Sequence, residues 1–154
     1  MDYKDLEKFI VEHNIKAHII ETKSRVITAK DVKREFGFNG LKKIVKSIVV
    51  VDENLEKPLL LVLRGDKKID FKKLEKITGK KYRLAKPNEV LELTGYEVGG
   101  VPPFGLKNKI ETWLDENVLE INEVTSGGGD HKHLMKIKSE ELKRFTDKIL
   151  DFTK

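Results

Sequence analysis

A chain of 154 residues is long enough for one domain with a real core and too short for two ordinary ones, so a single domain spanning residues 1–154 is expected. Charged residues make up 37% and hydrophobic residues 38%, and no apolar run reaches transmembrane length, which argues for a soluble protein and against a membrane partner. Cysteine is absent, excluding disulfides, thiolate metal sites and a cysteine nucleophile; the acidic, amphipathic N-terminus is unlike a secretory signal, so a cytoplasmic location is the default.

In chain order, Leu6, Phe9, Ile10 and His13 recur at helical spacing and predict an amphipathic helix from Asp2 to Asn14. Ala17 to Glu21 reads as a short strand. Thr28 can cap a helix to Phe36, with Gly37 as its stop. Ile44 to Val51 is a strand with Ile44, Lys46, Ile48 and Val50 on one face and Val45, Ser47, Val49 and Val51 on the other. A turn through Asp52, Glu53 and Asn54 leads back along Pro58 to Leu63, predicting a hairpin. Asp70 caps a helix closed by Gly79, and Pro87 opens another closed by Gly95. Ile110 to Leu114, Glu123 to Ser126 and His133 to Ile137 read as strands, with a short turn or helix at Glu116 to Leu119. Ser139 is expected to cap a terminal helix with Leu142, Phe145, Ile149 and Leu150 as its apolar stripe. Strands interspersed with helices, including a hairpin, predict a mixed α/β (α+β) fold.

Two features stand apart from ordinary folding sequence. Lys46 interrupts an apolar row, and a buried ammonium is costly, so it is either an edge residue reaching solvent or a pocket residue kept for a ligand. Thr94 to Leu106, T-G-Y-E-V-G-G-V-P-P-F-G-L, combines four glycines with Pro102 and Pro103. Such a loop is either a tight connection or a set of main-chain N–H groups open to a phosphate or an oxyanion. His131 and His133 do not match a helical zinc pair and no third ligand is evident, so no metal site is expected. There is no G-x-S-x-G elbow and no P-loop.

The loop Gly99 to Gly105 resembles the GGxxPxG loop of the YbaK/ProX family of aminoacyl-tRNA deacylases. Lys46 in V-K-S-I-V-V-V is similar to the family's strand bearing an essential lysine followed by Ser, Thr or Asn. Leu63 to Leu74 looks like its strand-to-helix junction, and Ser126 to Gly129 resembles its late glycine turn. The resemblance covers nearly the whole chain. It implies a strongly curved, almost barrel-like mixed sheet with helices outside, and hydrolysis without a cofactor of mischarged tRNA, above all tRNA for proline carrying cysteine or alanine.

By that resemblance Lys46 and the backbone of Gly99 and Gly100 serve catalysis, while Ser47, Pro102, Pro103, Phe104, Gly105, Ser126, Gly127, Gly128 and His133 bind substrate. The implied partners are the acceptor end of mischarged tRNA and prolyl-tRNA synthetase. The net charge of +5 favours such a polyanion, and Lys42, Lys43, Lys107 and Lys109 are candidates for phosphate contacts. Strand alternation turns Ser47 away from Lys46 and suggests a hydroxyl bonded to backbone. Two departures bear on the amino acid recognised: Thr22 stands where some members have tyrosine, and G-G-G-D-H-K-H-L differs from the G-G-K-R-G-L of the cysteine-specific branch. The rival readings are a non-catalytic module binding a tRNA end or a synthetase, and a phosphoesterase using the same loop.

Overall fold

The computed structural model describes residues 1–23, 30–31, 34 and 40–154. Asp2 starts the first helix, α1 (Tyr3–Glu12): its carboxylate accepts from Lys4 N–H at 2.8 Å, and Asp5 accepts from Asp2 N–H at 2.8 Å. This reciprocal cap orients Leu6 and Ile10 into the core. β1 (Ala17–Glu21) follows as expected. Thr28, Phe36 and Gly37, the bounds of the next expected helix, lie outside the described residues. A short α2 (Gly40–Lys43) leads into β2 (Val45–Asp52), which pairs antiparallel with β3 (Leu59–Arg64), giving the expected hairpin.

The cap signals place the next two helices well. Asp70 accepts from Lys72 and Lys73 N–H to open α3 (Phe71–Thr78), which Gly79 closes at φ 75°. Pro87 opens α4 (Pro87–Thr94), closed by Gly95 at φ 82°. Between them β4 (Tyr82–Leu84) pairs with the far end of β2. β5 (Glu111–Asp115), a 3-10 turn at Glu116–Glu120, β6 (Glu123–Gly127) and β7 (His133–Lys138) complete the expected series.

The chain end departs from expectation. Helix is confined to α5 (Ser139–Leu142) and a 3-10 turn at Lys143–Phe145, and Lys148–Leu150 form β8, a parallel edge strand beside β5. Ser139 donates its hydroxyl to the Ile121 carbonyl rather than capping a helix. Non-local bonds override the apolar spacing here. Asp147 accepts from Thr112 N–H at 2.8 Å, and buried Asp115 accepts from Phe152 N–H and Thr153 Oγ1, both at 3.2 Å. Ile149, expected in a buried stripe, is exposed.

The sheets run β4-β2-β3-β5-β8 and β1-β7-β6. In the first, β2 pairs antiparallel with β3 and β4, while β3–β5 and β5–β8 are parallel; the second is antiparallel throughout. The fold is therefore mixed α/β. The expected single barrel-like sheet is replaced by two sheets joined through a parallel bridge, Ile44 to Thr125, and not closed into a barrel. One apolar cluster lies outside the larger sheet, under α3, and includes Val50, Leu59, Leu61, Leu63, Leu74, Trp113 and Phe152. The larger cluster fills the space between the sheets with Val45, Val49, Leu60, Leu114, Val124 and Met135.

Candidate active site

β2 is covered along one edge only in part. β4 pairs with Val50 to Asp52, and Ala85 N–H donates to the Val49 carbonyl at 3.0 Å. Main-chain groups two residues apart on an antiparallel strand point the same way, so the N–H and C=O of Ser47 face the uncovered part of that edge. β6 meets β2 at the Ile44–Thr125 bridge, and a cavity of about 370 Å³ lies there. Lys46, Ser47, Gly99, Ser126 and Gly127 line it together, against an apolar wall that includes Val45, Val49, Val90, Val101 and Leu134.

Lys46 is half-buried, and its ammonium makes one protein contact among the described residues, a 3.5 Å bond to the Gly65 carbonyl. Asp66, whose negative charge acts on Lys46, is clamped by Arg64 through bonds of 2.9 and 2.6 Å. Burial pushes the Lys46 pKa down; Asp66 partly offsets this and Lys68 adds to it. Ser47 turns away from Lys46 as alternation expects, but the expected bond from its hydroxyl to backbone is not made. Its Oγ is buried without any hydrogen-bond partner among the described residues, in the apolar space between the sheets. An orphaned hydroxyl costs about 1–3 kcal/mol, a cost that a bound polar group removes.

Of the two glycines in the loop whose backbone the resemblance singles out, Gly99 has an unbonded N–H among the described residues and Gly100 does not. Gly99 sits at φ 90° and lines the cavity. Gly100 donates its N–H to the Glu97 carbonyl at 2.9 Å, and its carbonyl accepts from Gly129 N–H at 2.9 Å. Gly100 is therefore spent on closing the loop. A Cβ there would lie 2.8 Å from Asp130 Cα. Gly99 and Val101 line the cavity, and their N–H groups make no hydrogen bond among the described residues.

Pro102, Pro103 and Phe104 are buried and do not line this cavity. The chain turns inward after Val101, and Phe104 packs on Phe9 and Phe145 with centroids 5.7 and 4.8 Å away. With Gly105, Pro103 and Phe104 line a second hollow behind the loop, so they brace it from outside the site. Gly128 and His133 likewise stand outside. A Cβ on Gly128 would meet His133 C at 2.5 Å, and His133 bonds Asp130 at 2.7 Å while stacking on Tyr3 at 3.8 Å. Leu134 faces the cavity, so alternation turns His133 away from it. Of the basic residues, Lys42 and Lys43 are exposed between Leu41 and Ile44 at the cavity, whereas Lys109 borders the second hollow. No group of acidic and histidine side chains among the described residues could hold a metal.

Among the described residues Lys46 is the only ionisable side chain lining the cavity, and neither serine has a carboxylate or imidazole beside it. The arrangement suits a carbonyl or anion held by an ammonium and main-chain N–H groups, in the class of site that polarises an activated substrate rather than attacking it. Residues 13–145 match the aminoacyl-tRNA editing domain, and the chain belongs to that family. It is 32% identical over 146 residues to the uncharacterized protein YwhH of Bacillus subtilis, 95% of this chain and 92% of that one. It is 27% identical over 122 residues to EbsC of Enterococcus faecalis, provisionally named a Cys-tRNA(Pro)/Cys-tRNA(Cys) deacylase, 79% of this chain and 73% of that one. A crystal structure provisionally described as a trans-editing enzyme for prolyl tRNA synthetase superposes with a TM-score of 0.86 at 29% identity, covering 99% of this chain and 96% of that one. No helix among the described residues is long and apolar enough to cross a membrane.

Proposed function

We propose that the chain is a trans-editing aminoacyl-tRNA deacylase, hydrolysing the ester of mischarged tRNA, with tRNA(Pro) carrying cysteine or alanine as substrate. The observation that carries this reading is a cavity with one ammonium, lining residues whose main-chain N–H groups are unbonded among the described residues, and hydroxyls with no carboxylate or imidazole beside them to act as a base. An aminoacyl ester is already activated and needs no more than this. Water adds to the ester carbonyl; with cysteine its own thiol can add instead, giving a cyclic thioester that water then opens. The negative charge that develops on the carbonyl oxygen falls to Gly99 N–H, Val101 N–H and the Lys46 ammonium, and the terminal ribose oxygen leaves with a proton from water. The orphaned Ser47 Oγ accepts from the substrate's amino group. A separate hydrolytic step is worth having because a pocket separates amino acids one methylene apart by only about 1–3 kcal/mol.

The names of EbsC and of the prolyl-tRNA-synthetase trans-editing neighbour support the tRNA and the synthetase as partners. The test is a panel of tRNA(Pro) charged with cysteine, alanine, serine and proline. Catalytic release of cysteine or alanine, with prolyl-tRNA spared, is the expected result. Stoichiometric protection of every ester would instead make the chain a binding module.

A further inference from the structure

The glycine loop reverses direction at Val98 and Gly99. Gly100 N–H donates to the Glu97 carbonyl at 2.9 Å, which closes a four-residue turn around these two residues, and Gly99 at φ 90° makes it type II. Types I and II differ by turning over the central peptide, here Val98 C=O with Gly99 N–H, and a glycine at the third position can adopt either. Gly99 alone therefore does not decide which way its N–H faces. The carbonyl of that same peptide is taken by His131, whose Nε2 lies 2.7 Å from the Val98 oxygen. A carbonyl can only accept, so Nε2 carries a proton and donates it. We propose that His131 is a positioning residue, which holds the Val98 carbonyl and so locks this peptide with the Gly99 N–H turned to the cavity.

This rests on the proposed deacylase reading, in which Gly99 N–H receives charge from the carbonyl oxygen, and adds to it what aims that donor. In a planar trans peptide the C=O and N–H point opposite ways. Val98 and Gly99 line the cavity and His131 does not, so a carbonyl drawn to His131 sends the N–H away from it. The flipped peptide would offer a carbonyl oxygen to a developing negative charge and repel it. His131 is itself well fixed, with a side chain 13% exposed on a turn tied at both ends. Gly129 N–H donates to the Gly100 carbonyl at 2.9 Å, and Thr22 N–H donates to the Lys132 carbonyl at 2.8 Å. Between them Asp130 accepts from Lys132 N–H at 3.0 Å and bonds His133 at 2.7 Å. The late glycine turn thus reaches the glycine loop through one imidazole.

The test pairs hydrolysis of mischarged tRNA(Pro) with the residual dipolar coupling of the Gly99 N–H, which reads the orientation of that bond without substrate. His131→Leu removes the donor and releases the peptide. The Gly99 coupling should change, and kcat should fall about fivefold with KM nearly unchanged, because the N–H is used in the transition state. His131→Gln carries an amide N–H near the place of Nε2 and should restore both the coupling and kcat. A histidine that only supports the fold would lower the melting temperature while kcat per folded molecule of His131→Leu stays at the wild-type value, which overturns the proposal. An unchanged Gly99 coupling in His131→Leu, or a rise in KM with kcat kept, overturns it equally. A wild type that releases no amino acid would fail the deacylase reading instead, and the coupling would still decide whether His131 holds the peptide.

Discussion

The two faces of the larger sheet are built from one hairpin, yet they end differently. Outside, Leu59, Leu61 and Leu63 pack under α3 with Trp113 and Phe152, and the polar groups there are paired. Trp113 Nε1 donates to Glu111 at 2.6 Å, and Asp115 accepts from Phe152, Thr153 and Asn117. Inside, Val45, Ser47 and Val49 of the same β2 face a cavity where the Ser47 hydroxyl is orphaned; Lys46, on the other face by alternation, also lines that cavity with a half-buried ammonium. Groups on the closed face contribute to folding through protein partners. On the proposed reading the groups lining the cavity are kept for a ligand, so stability and function would separate along one strand.

Breaking the closed face should have the largest effect on stability. Leu61→Ala removes a fully buried side chain and should cost about 2–5 kcal/mol, read from urea unfolding. A fully folded variant with an unchanged midpoint would blur the distinction between the faces. At the seam of the open face, Gly127→Ala places a Cβ 2.4 Å from the Val101 carbonyl oxygen. It should cost about 1–3 kcal/mol and lower deacylation by displacing Val101 N–H. Unfolding and hydrolysis measured together check both halves.

Ser47→Ala sharpens the comparison most finely. Its Oγ has no partner to lose among the described residues, so stability should change by no more than about 0.5 kcal/mol, or rise, while kcat/KM falls about tenfold. A clear loss of stability with activity retained would make Ser47 a structural residue.

What was legible in the sequence was local. Asp70 with Gly79, and Pro87 with Gly95, fixed two helices because a cap acts within a turn of its own residue. Lys46 stood out because it breaks a row of apolar side chains in its own strand. The terminal helix misled because β8 forms through bonds from Asp147 and Asp115 to partners tens of residues away. The same limit hid Thr125 and Val101, which join the site only when β6 and the glycine loop come alongside β2. The proline segment showed that the loop is stiff, but not that Phe104 turns inward onto Phe9. Gly100 looked like a donor because a glycine's N–H is accessible in principle; only the fold reveals that Glu97 already accepts it.

The central claim is that Lys46 is held in the apolar wall for the substrate rather than for the fold. The most direct measurement takes thermal unfolding and hydrolysis of mischarged tRNA(Pro) on the same preparation of Lys46→Ala. The account predicts a loss of about 100-fold or more in kcat/KM. The melting temperature should be unchanged or higher, because a half-buried ammonium without an ion pair among the described residues is removed. A folded Lys46→Ala protein with wild-type hydrolysis, or one that melts early while its folded fraction keeps full specific activity, would contradict it.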